Sequence, residues 1–580
     1  MLGANSRLPF LLWLLCSVSL MLGTFGQEQQ PLLQDDRQKP LPSKPKSPNT
    51  LPALLDALDV LQSDYFEVWQ GIWPKGIDWT SAVLGTYLSS ALITLSTSYP
   101  SLPSSKIADN VVNKYFSNVI GAYFGQDAFA LRQEAYDDML WVVLGWLESI
   151  KFIKTHSALH FEADDDSRLL GPWYGHQWIP AFAHRARIFW DMASQGWDTS
   201  LCNGGMIWNP NLVPYKNAIT NELYITASIS MYLYFPGDDN TSPFGITTPP
   251  TLASIDNPGR AHDPKYLAAA IEAYKWLGDS NMTDAKGLYV DGYHISGWSR
   301  ERPKNGSQRN TRCDSRNEMV YTYNQGVLLS GQRGLYEATG ARSYLEDGHE
   351  LVSDVIAATG WDLKHGKVLD ENGTDRPRHR LGKWRGLGRS GVLEEACDAE
   401  SYCSQDGQTF KGIFFHHLTL FCERLPDHLV LPGELFLSKG AEDVPGGPRE
   451  VQKWHDKNCA RYAPWIKHNA KAALSTLDTE GKFGMWWGAP PHSTADPDAE
   501  VDLPEEAVDY RNLGVPQQWK DKRRYSRQAS EANVNDDDNE DNEGKIRIRD
   551  LNDRGRGRTV ETQGGGVSVL RAMWELVDSR

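Results

Sequence analysis

The chain has 580 residues, of which 40% are hydrophobic and 11% aromatic, so it is long enough to bury a large core. Its formal net charge of −16 excludes a general affinity for nucleic acid, because the phosphate backbone is also negative. A neutral polymer suits this charge better than a polyanion. The 21 tryptophans and 23 tyrosines fit either a large core or a groove that stacks on sugar rings.

Residues 1–26 have the pattern of a secretory signal peptide. Arg7 provides a positive start, residues 8–22 are apolar, and small residues precede an expected cleavage before Gln27. The apolar run is short for a membrane-spanning helix, so we expect no integral membrane segment after its removal. Residues 27–50 are rich in Pro, Lys, Gln and Ser and are predicted to be a disordered lead-in. The pattern predicts a secreted protein, either extracellular or in the cell wall.

Six cysteines remain once Cys16 of the signal is excluded. An even number in a secreted chain indicates disulfides, with 15 possible pairings, and Cys397 and Cys403 are close enough to form one of them. No cysteine or histidine group has the spacing of a zinc site, so we expect no metal and no cofactor. Four N-glycosylation sequons lie in polar stretches: Asn240, Asn281, Asn305 and Asn372.

Helical patterns recur along most of the chain. In one of them Asp263 is a good N-cap, Pro264 suits the first turn, and Gly278 is placed to end the helix. Comparable signals lie near residues 51–70, 80–97, 106–122, 128–153, 176–195, 217–235, 316–338, 343–358, 409–424, 463–477 and 564–577. About twelve helices in pairs predict an all-α fold, an (α/α)6 double ring, without excluding other all-α architectures.

The predicted catalytic domain covers residues 51–490, and residues 563–580 are predicted to supply its final helix. Between them, residues 491–562 contain Pro-rich, acidic and Arg/Gly-rich pieces. Charge blocks of this kind are typical of solvated, disordered loops. We therefore predict a low-complexity loop without a catalytic role.

Asp137 and Asp138 precede an apolar stretch, residues 139–147, which has the character of a helix buried on all sides. One explanation is helix capping, because acidic residues are favoured in the first turn. The other is catalysis. Retaining glycosidic cleavage needs two carboxyl groups about 5–5.5 Å apart, and adjacent helical residues, about 100° apart around the axis, can flank one bond. The dipeptide alone does not separate these explanations.

Six short motifs occur in order along the chain. They are Tyr136–Trp141 (YDDMLW), Cys202–Trp208 (CNGGMIW), Lys216–Glu222 (KNAITNE), Gly287–Gly292 (GLYVDG), Tyr321–Gly326 (YTYNQG) and Phe410–Phe414 (FKGIF). Together they resemble the motifs of glycoside hydrolase family 76, the endo-α-1,6-mannanases. The resemblance covers roughly residues 55–490 and the last helix. It implies an (α/α)6 barrel, a retaining mechanism without a metal, Asp137 as nucleophile and Asp138 as acid/base.

Further residues are candidates for contact with sugar, each with a structural alternative in core packing, a turn or a helix cap. They are Tyr136, Trp141, Gly204, Gly205, Trp208, Asp291, Asn324, Gln325, Trp486 and Trp487. The expected function is endo-hydrolysis of α-1,6-mannan by a monomer whose partner is mannan or mannoprotein polysaccharide. Two alternatives remain: a cell-wall transglycosidase that links mannoprotein glycans to other wall polymers, and a non-catalytic mannan-binding protein.

Overall fold

The computed structural model describes residues 50–102, 104–126, 134–161, 173–240, 259–299, 308–369, 382–433, 447–489, 501–514, 550–554 and 556–580. Their longer helices are α1 (Thr50–Ser63), α2 (Asp78–Thr97), α3 (Ser105–Gly125), α4 (Tyr136–His160), α5 (Ile179–Ala193), α6 (Ala218–Tyr234), α7 (Pro264–Asp279), α8 (Thr322–Thr339), α9 (Ser343–Ala358), α10 (Gln405–Cys422), α11 (Pro448–Ala460), α12 (Ala463–Leu474) and α13 (Val560–Met573).

Six of these helices form a closed inner ring. In ring order, α2 packs on α4, α4 on α6, α6 on α8, α8 on α10, α10 on α13, and α13 returns to α2. The others lie outside: α3 on α2, α5 on α4, α7 on α6, α9 on α8, α11 on α10, and both α1 and α12 on α13. The predicted all-α fold with an (α/α)6 double ring is confirmed.

Burial separates the two rings. Inner helix α6 buries all but two of its seventeen residues, including polar side chains such as Asn221 and Glu222. Outer helix α7 buries only six of its sixteen, and these follow one face from Tyr266 to Leu277. A helix that is apolar on one stripe needs a single packed face, whereas an all-round buried helix needs neighbours on every side.

The start of α7 matches the prediction and its end does not. The Asp263 carboxylate accepts a hydrogen bond from the Lys265 backbone N–H at 2.9 Å, and Pro264 occupies the first helical position. Gly278 does not end the helix, which continues through it to Asp279, so that prediction is wrong; the residue with positive φ is Asn281, after the C-cap Ser280. Helix α11 was not predicted, because only Val451, His455 and Cys459 are buried in an otherwise polar segment.

Short strands connect the loops at one end of the ring. Strand β1 (Tyr215–Asn217) pairs antiparallel with β2 (Gly292–His294), and β2 pairs antiparallel with β3 (Ser315–Asn317). Two small ladders follow, β4 (Trp361–Asp362) with β5 (Lys367–Val368) and β6 (Gly388–Arg389) with β7 (Val392–Leu393). Because β1 leads directly into α6, and β3 lies shortly before α8, the three-stranded sheet fixes how two inner helices begin.

The six cysteines other than Cys16 form disulfides: Cys202–Cys313, Cys397–Cys403 and Cys422–Cys459. The predicted Cys397–Cys403 pair is therefore confirmed. The first bond joins positions 111 residues apart, and the third joins α10 to α11. Cross-links of this kind stabilise the fold mainly by restricting the unfolded chain.

The prediction of a charged loop over residues 491–562 is wrong for two of its parts. Residues 501–514 contain a helical turn, Tyr510–Leu513, and Tyr510 is only 3% exposed. Residues 556–562 lead into α13, which begins at Val560 rather than at the predicted 563. Residues 491–500, 515–549 and 555 lie outside the described residues.

The remaining predictions about domains are only partly within the described residues. The described residues from Thr50 to Arg580 belong to one compact unit, and residues 1–49 lie outside the described residues. The signal peptide and the lead-in therefore stay predictions, except that Thr50 is a buried helical residue rather than part of the lead-in. In the described ranges, no helix combines the length and the apolar character needed to cross a membrane.

Candidate active site

The candidate site lies at the first turn of inner helix α4. Ala135 has extended backbone at the N-cap position, and the Asp138 Oδ2 atom accepts a hydrogen bond from the Ala135 backbone N–H at 3.0 Å. The Tyr136 backbone N–H donates to the Trp208 carbonyl oxygen at 2.9 Å. The capping explanation therefore holds for one carboxylate, Asp138, and leaves the second to be explained.

Asp137 does not cap the helix with its side chain. Its Oδ2 atom accepts hydrogen bonds from Trp208 Nε1 at 3.1 Å and from Arg511 Nη2 at 3.3 Å. The residue is 3% exposed, and within the described part of the chain its Oδ1 atom has no hydrogen-bond partner. A buried carboxylate with one oxygen unpartnered is costly unless it has a function.

The two carboxyl groups differ in their electrostatic surroundings. Burial raises the pKa of Asp137, and the Arg511 guanidinium opposes that rise. Burial, together with the charges of Asp137 and Glu134, raises the pKa of Asp138 well above its ordinary value. Arg511 and Trp208 thus favour the ionised form of Asp137, while the surroundings of Asp138 favour its protonated form. Such a division of roles is what an acid and a nucleophile need.

Aromatic side chains surround the pair at the beginnings of other inner helices. Trp79 of α2 stacks on Trp141 of α4 with 5.7 Å between ring centroids, and its Nε1 atom donates to Asp406 of α10 at 2.7 Å. Tyr323 of α8 stacks on Phe410 of α10 at 3.8 Å. Since these residues lie in the first or second turn of their helices, the site is at one end of the ring. Trp79 is the partly exposed ring among these four, whereas Trp141, Tyr323 and Phe410 are buried.

Two side-chain groups in the described residues have the composition of a metal site. One is His349, His455 and Cys459, and the other is Cys397, Asp398 and Cys403. Every cysteine in them is disulfide-bonded and cannot offer the thiolate that a zinc ion would need.

Comparison with known proteins gives a match to a family model and matches to curated proteins. Residues 252–430 match the model of glycosyl hydrolase family 76. The chain is 22% identical over 255 residues to mannan endo-1,6-alpha-mannosidase DCW1 of Candida glabrata, covering 43% of this chain and 42% of that protein. It is 24% identical over 234 residues to mannan endo-1,6-alpha-mannosidase DFG5 of Saccharomyces cerevisiae, covering 39% and 36%. The resemblance to glycosyl hydrolase family 76 is confirmed.

A solved structure is also similar. It is an alpha-1,6-mannanase of Salegentibacter sp., with a TM-score of 0.47 and 16% identity, covering 91% of this chain and 100% of that one. The match to the family 76 model begins after the Asp137–Asp138 pair, and the matched regions span less than half of each curated relative. The roles of the two aspartates in this chain therefore depend on their geometry.

Three predicted sugar contacts lie beside the pair. Trp208 is partly exposed and donates to Asp137. Tyr136 is partly buried, with its ring against Gly196. Trp141 is 4% exposed beneath Trp79. Trp208 thus has a second role, as a hydrogen-bond donor to a carboxylate, that the prediction did not include.

Other predicted contacts lie in the packed interior. The Asp291 carboxylate accepts from the Tyr215 hydroxyl at 2.5 Å, and the Gln325 amide hydrogen-bonds the Tyr289 backbone N–H and carbonyl, both at 2.8 Å. Gly204 and Gly205 have positive φ and pack against Trp276 of α7. Contact of these four residues with sugar stays a prediction, and their positions favour the structural alternative.

The remaining three candidates are also buried. Trp486 packs with the Cys397–Cys403 disulfide, and Trp487 packs near Phe415 of α10. Asn324 is fully buried, and its side-chain amide has no hydrogen-bond partner in the residues described. Of the four sequons, Asn240 and Asn281 are exposed, whereas Asn305 and Asn372 lie outside the described residues.

The residue that sequence reasoning missed is Arg511. It lies 374 positions from Asp137 in a segment predicted to be a loop. The segment carries no usable periodic signal, because Tyr510 is buried while the neighbouring apolar residues Val508 and Leu513 are exposed.

Proposed function

We propose that this protein is a secreted, endo-acting, retaining glycosidase that hydrolyses α-1,6-mannosidic linkages in mannan. The observation that carries the proposal is the unequal environment of Asp137 and Asp138. One carboxylate is held by a cation and an indole N–H, and its neighbour is kept protonated by burial and by that negative charge. Three disulfides support an oxidising, extracellular location.

The two groups would act in sequence. Asp137 attacks the anomeric carbon, Asp138 gives its proton to the leaving glycosidic oxygen, and a mannosyl ester of Asp137 forms. Asp138, now ionised, takes a proton from water, and the resulting attack on the anomeric carbon releases the sugar and restores both carboxyl groups. Two displacements return the anomeric carbon to its starting configuration.

The test is product analysis on linear α-1,6-mannan, with and without an excess of acceptor oligosaccharide. We expect short oligomannosides of retained α-configuration, with a linear β-1,4-mannan left intact as the control. Elongated acceptors would instead favour the transglycosidase. Binding to mannan without any change in chain length would favour the non-catalytic alternative and contradict the proposal.

The pH dependence of kcat/KM should be bell-shaped. Activity is lost as the pH falls through the pKa of Asp137, because the nucleophile is then protonated. It is also lost as the pH rises through the strongly raised pKa of Asp138, because the acid is then ionised. Burial raises both values, so the active window should lie above the ordinary carboxyl pKa of about 4. A window centred below pH 4 would contradict the assignment.

A further inference from the structure

Residues 501–514, here called the strap, pass over the candidate site and are attached first beside α8. The Asn317 side chain hydrogen-bonds both backbone groups of Val508, accepting from its N–H at 2.8 Å and donating to its carbonyl at 3.1 Å. The Tyr321 hydroxyl donates to the Asp509 carboxylate at 2.8 Å. These contacts place the start of the helical turn Tyr510–Leu513.

The other end of the strap is attached beside α10. The Asn512 Oδ1 atom accepts from the Ser404 backbone N–H at 2.8 Å and from its hydroxyl at 3.1 Å. A Cβ atom on Gly407 would lie 2.6 Å from Asn512 Oδ1, so the approach is close. Because side chains of the barrel hold the strap at both ends, it is an integral wall of the site.

The central residues of the strap are buried against the site. Tyr510 is 3% exposed and lies against the rings of Trp208 and Tyr215, at 5.8 and 5.6 Å between centroids. The Arg511 side chain is 12% exposed, and its guanidinium lies 4.8 Å from the Trp208 ring centre. Arg511 Nη2 donates to Asp137 Oδ2 at 3.3 Å. A cation this deeply buried is stable only beside negative charge.

We propose that Arg511 is a positioning residue for the nucleophile, delivered by the strap, which holds the Asp137 carboxylate ionised and orients its Oδ1 atom towards the anomeric carbon. The proposal rests on the proposed function of the Asp137–Asp138 pair. Arg511 and Trp208 both bind Oδ2, which leaves Oδ1 as the attacking oxygen. Arginine suits this role because it stays charged when buried and also stacks on an indole ring.

Other titratable groups face Asp137 or its partner Arg511, and they come from several elements. They are Glu134 and Asp138 at the start of α4, Tyr510 of the strap, Tyr323 of α8, Asp406 of α10 and Asp291 beside β2. Arg511 is the cation in this group, and any of the other four carboxyl groups that is ionised disfavours the ionised form of Asp137. Removal of Arg511 should therefore leave Asp137 without its opposing positive charge.

The kinetic test compares Arg511→Met and Arg511→Lys with the exposed control Arg424→Met on α-1,6-mannan. We expect kcat to fall about 100-fold in Arg511→Met, by analogy with removal of a single stabilising donor, with little change in KM. The acid limb of the pH profile should move to higher pH in Arg511→Met. Arg511→Lys should recover part of the lost kcat. An increase in rate in Arg511→Met would show that the strap blocks the site and would overturn the proposal.

A second measurement needs no substrate. Melting temperatures are compared for wild type, Arg511→Met, Asp137→Asn and the double variant. We expect Asp137→Asn to raise the melting temperature in the Arg511→Met background, because it removes a buried charge that has lost its partner, and to lower it in wild type. If Asp137→Asn changed the melting temperature equally in both backgrounds, the proposed interaction between Arg511 and Asp137 would be overturned. If wild type cleaves no mannoside, the proposed function fails. The comparison of the four melting temperatures still tests the interaction between Arg511 and Asp137.

Discussion

Asp137→Asn is expected to abolish formation of the mannosyl-enzyme and to lower kcat/KM on α-1,6-mannan by about 10⁴-fold or more, as loss of a nucleophile does elsewhere. The amide keeps the shape of the side chain but cannot attack the anomeric carbon. The measurement is intact-protein mass spectrometry with a slow, fluorinated α-mannosyl substrate. Wild type should gain the mass of one sugar, and the variant should gain none.

The matched control is Asp239→Gln, which replaces a carboxylate by an amide in another Asp-Asp pair, Asp238-Asp239, where Asp239 is exposed. It should retain full activity and labelling. A glycan pull-down accompanies both variants, because retained binding of mannan by Asp137→Asn would show that the substrate-binding surface is intact. Normal turnover in Asp137→Asn would contradict the role assigned to this residue.

Asp138→Asn should have a large effect that depends on the leaving group. A sugar alkoxide needs protonation as it departs, so mannan hydrolysis should fall about 10²- to 10⁴-fold, the usual contribution of general acid catalysis. An activated aryl α-mannoside needs little protonation, and its mannosyl-enzyme should form at a near-normal rate. Asparagine can still accept the hydrogen bond from the Ala135 backbone N–H, so the start of α4 should be unaffected.

The mannosyl-enzyme of Asp138→Asn should then accumulate, because no base remains to activate water. Azide needs no base, so it should restore turnover of aryl mannosides and give α-mannosyl azide. Pre-steady-state release of the aryl group and the anomeric form of the azide product are the measurements. If aryl mannosides lost as much activity as mannan, the acid/base assignment would be wrong.

The features that the sequence predicted correctly depend on neighbours along the chain. The N-cap at Asp263, the apolar run after Asp138 and the six-residue spacing of Cys397 and Cys403 are local patterns, and each has its expected structure. The errors have a common cause too. The end of α7 after Gly278 and the ordered turn Tyr510–Leu513 inside the predicted loop were missed because neither has a clear local signal in the sequence. Polar residues inside a ring of helices look the same in sequence as residues that line a groove.

By itself, the sequence determined the all-α class, the pairing of helices and the position of two adjacent carboxylates at the start of a buried helix, because periodicity and helix caps act over a few residues. Only the tertiary structure decided how these carboxylates differ. The cation and the indole N–H that bind Asp137 come from Arg511 and Trp208, which are 374 and 71 positions away. Electrostatic interactions depend on distance in space and on burial, so the difference between the two carboxyl groups follows from closure of the ring and the path of the strap.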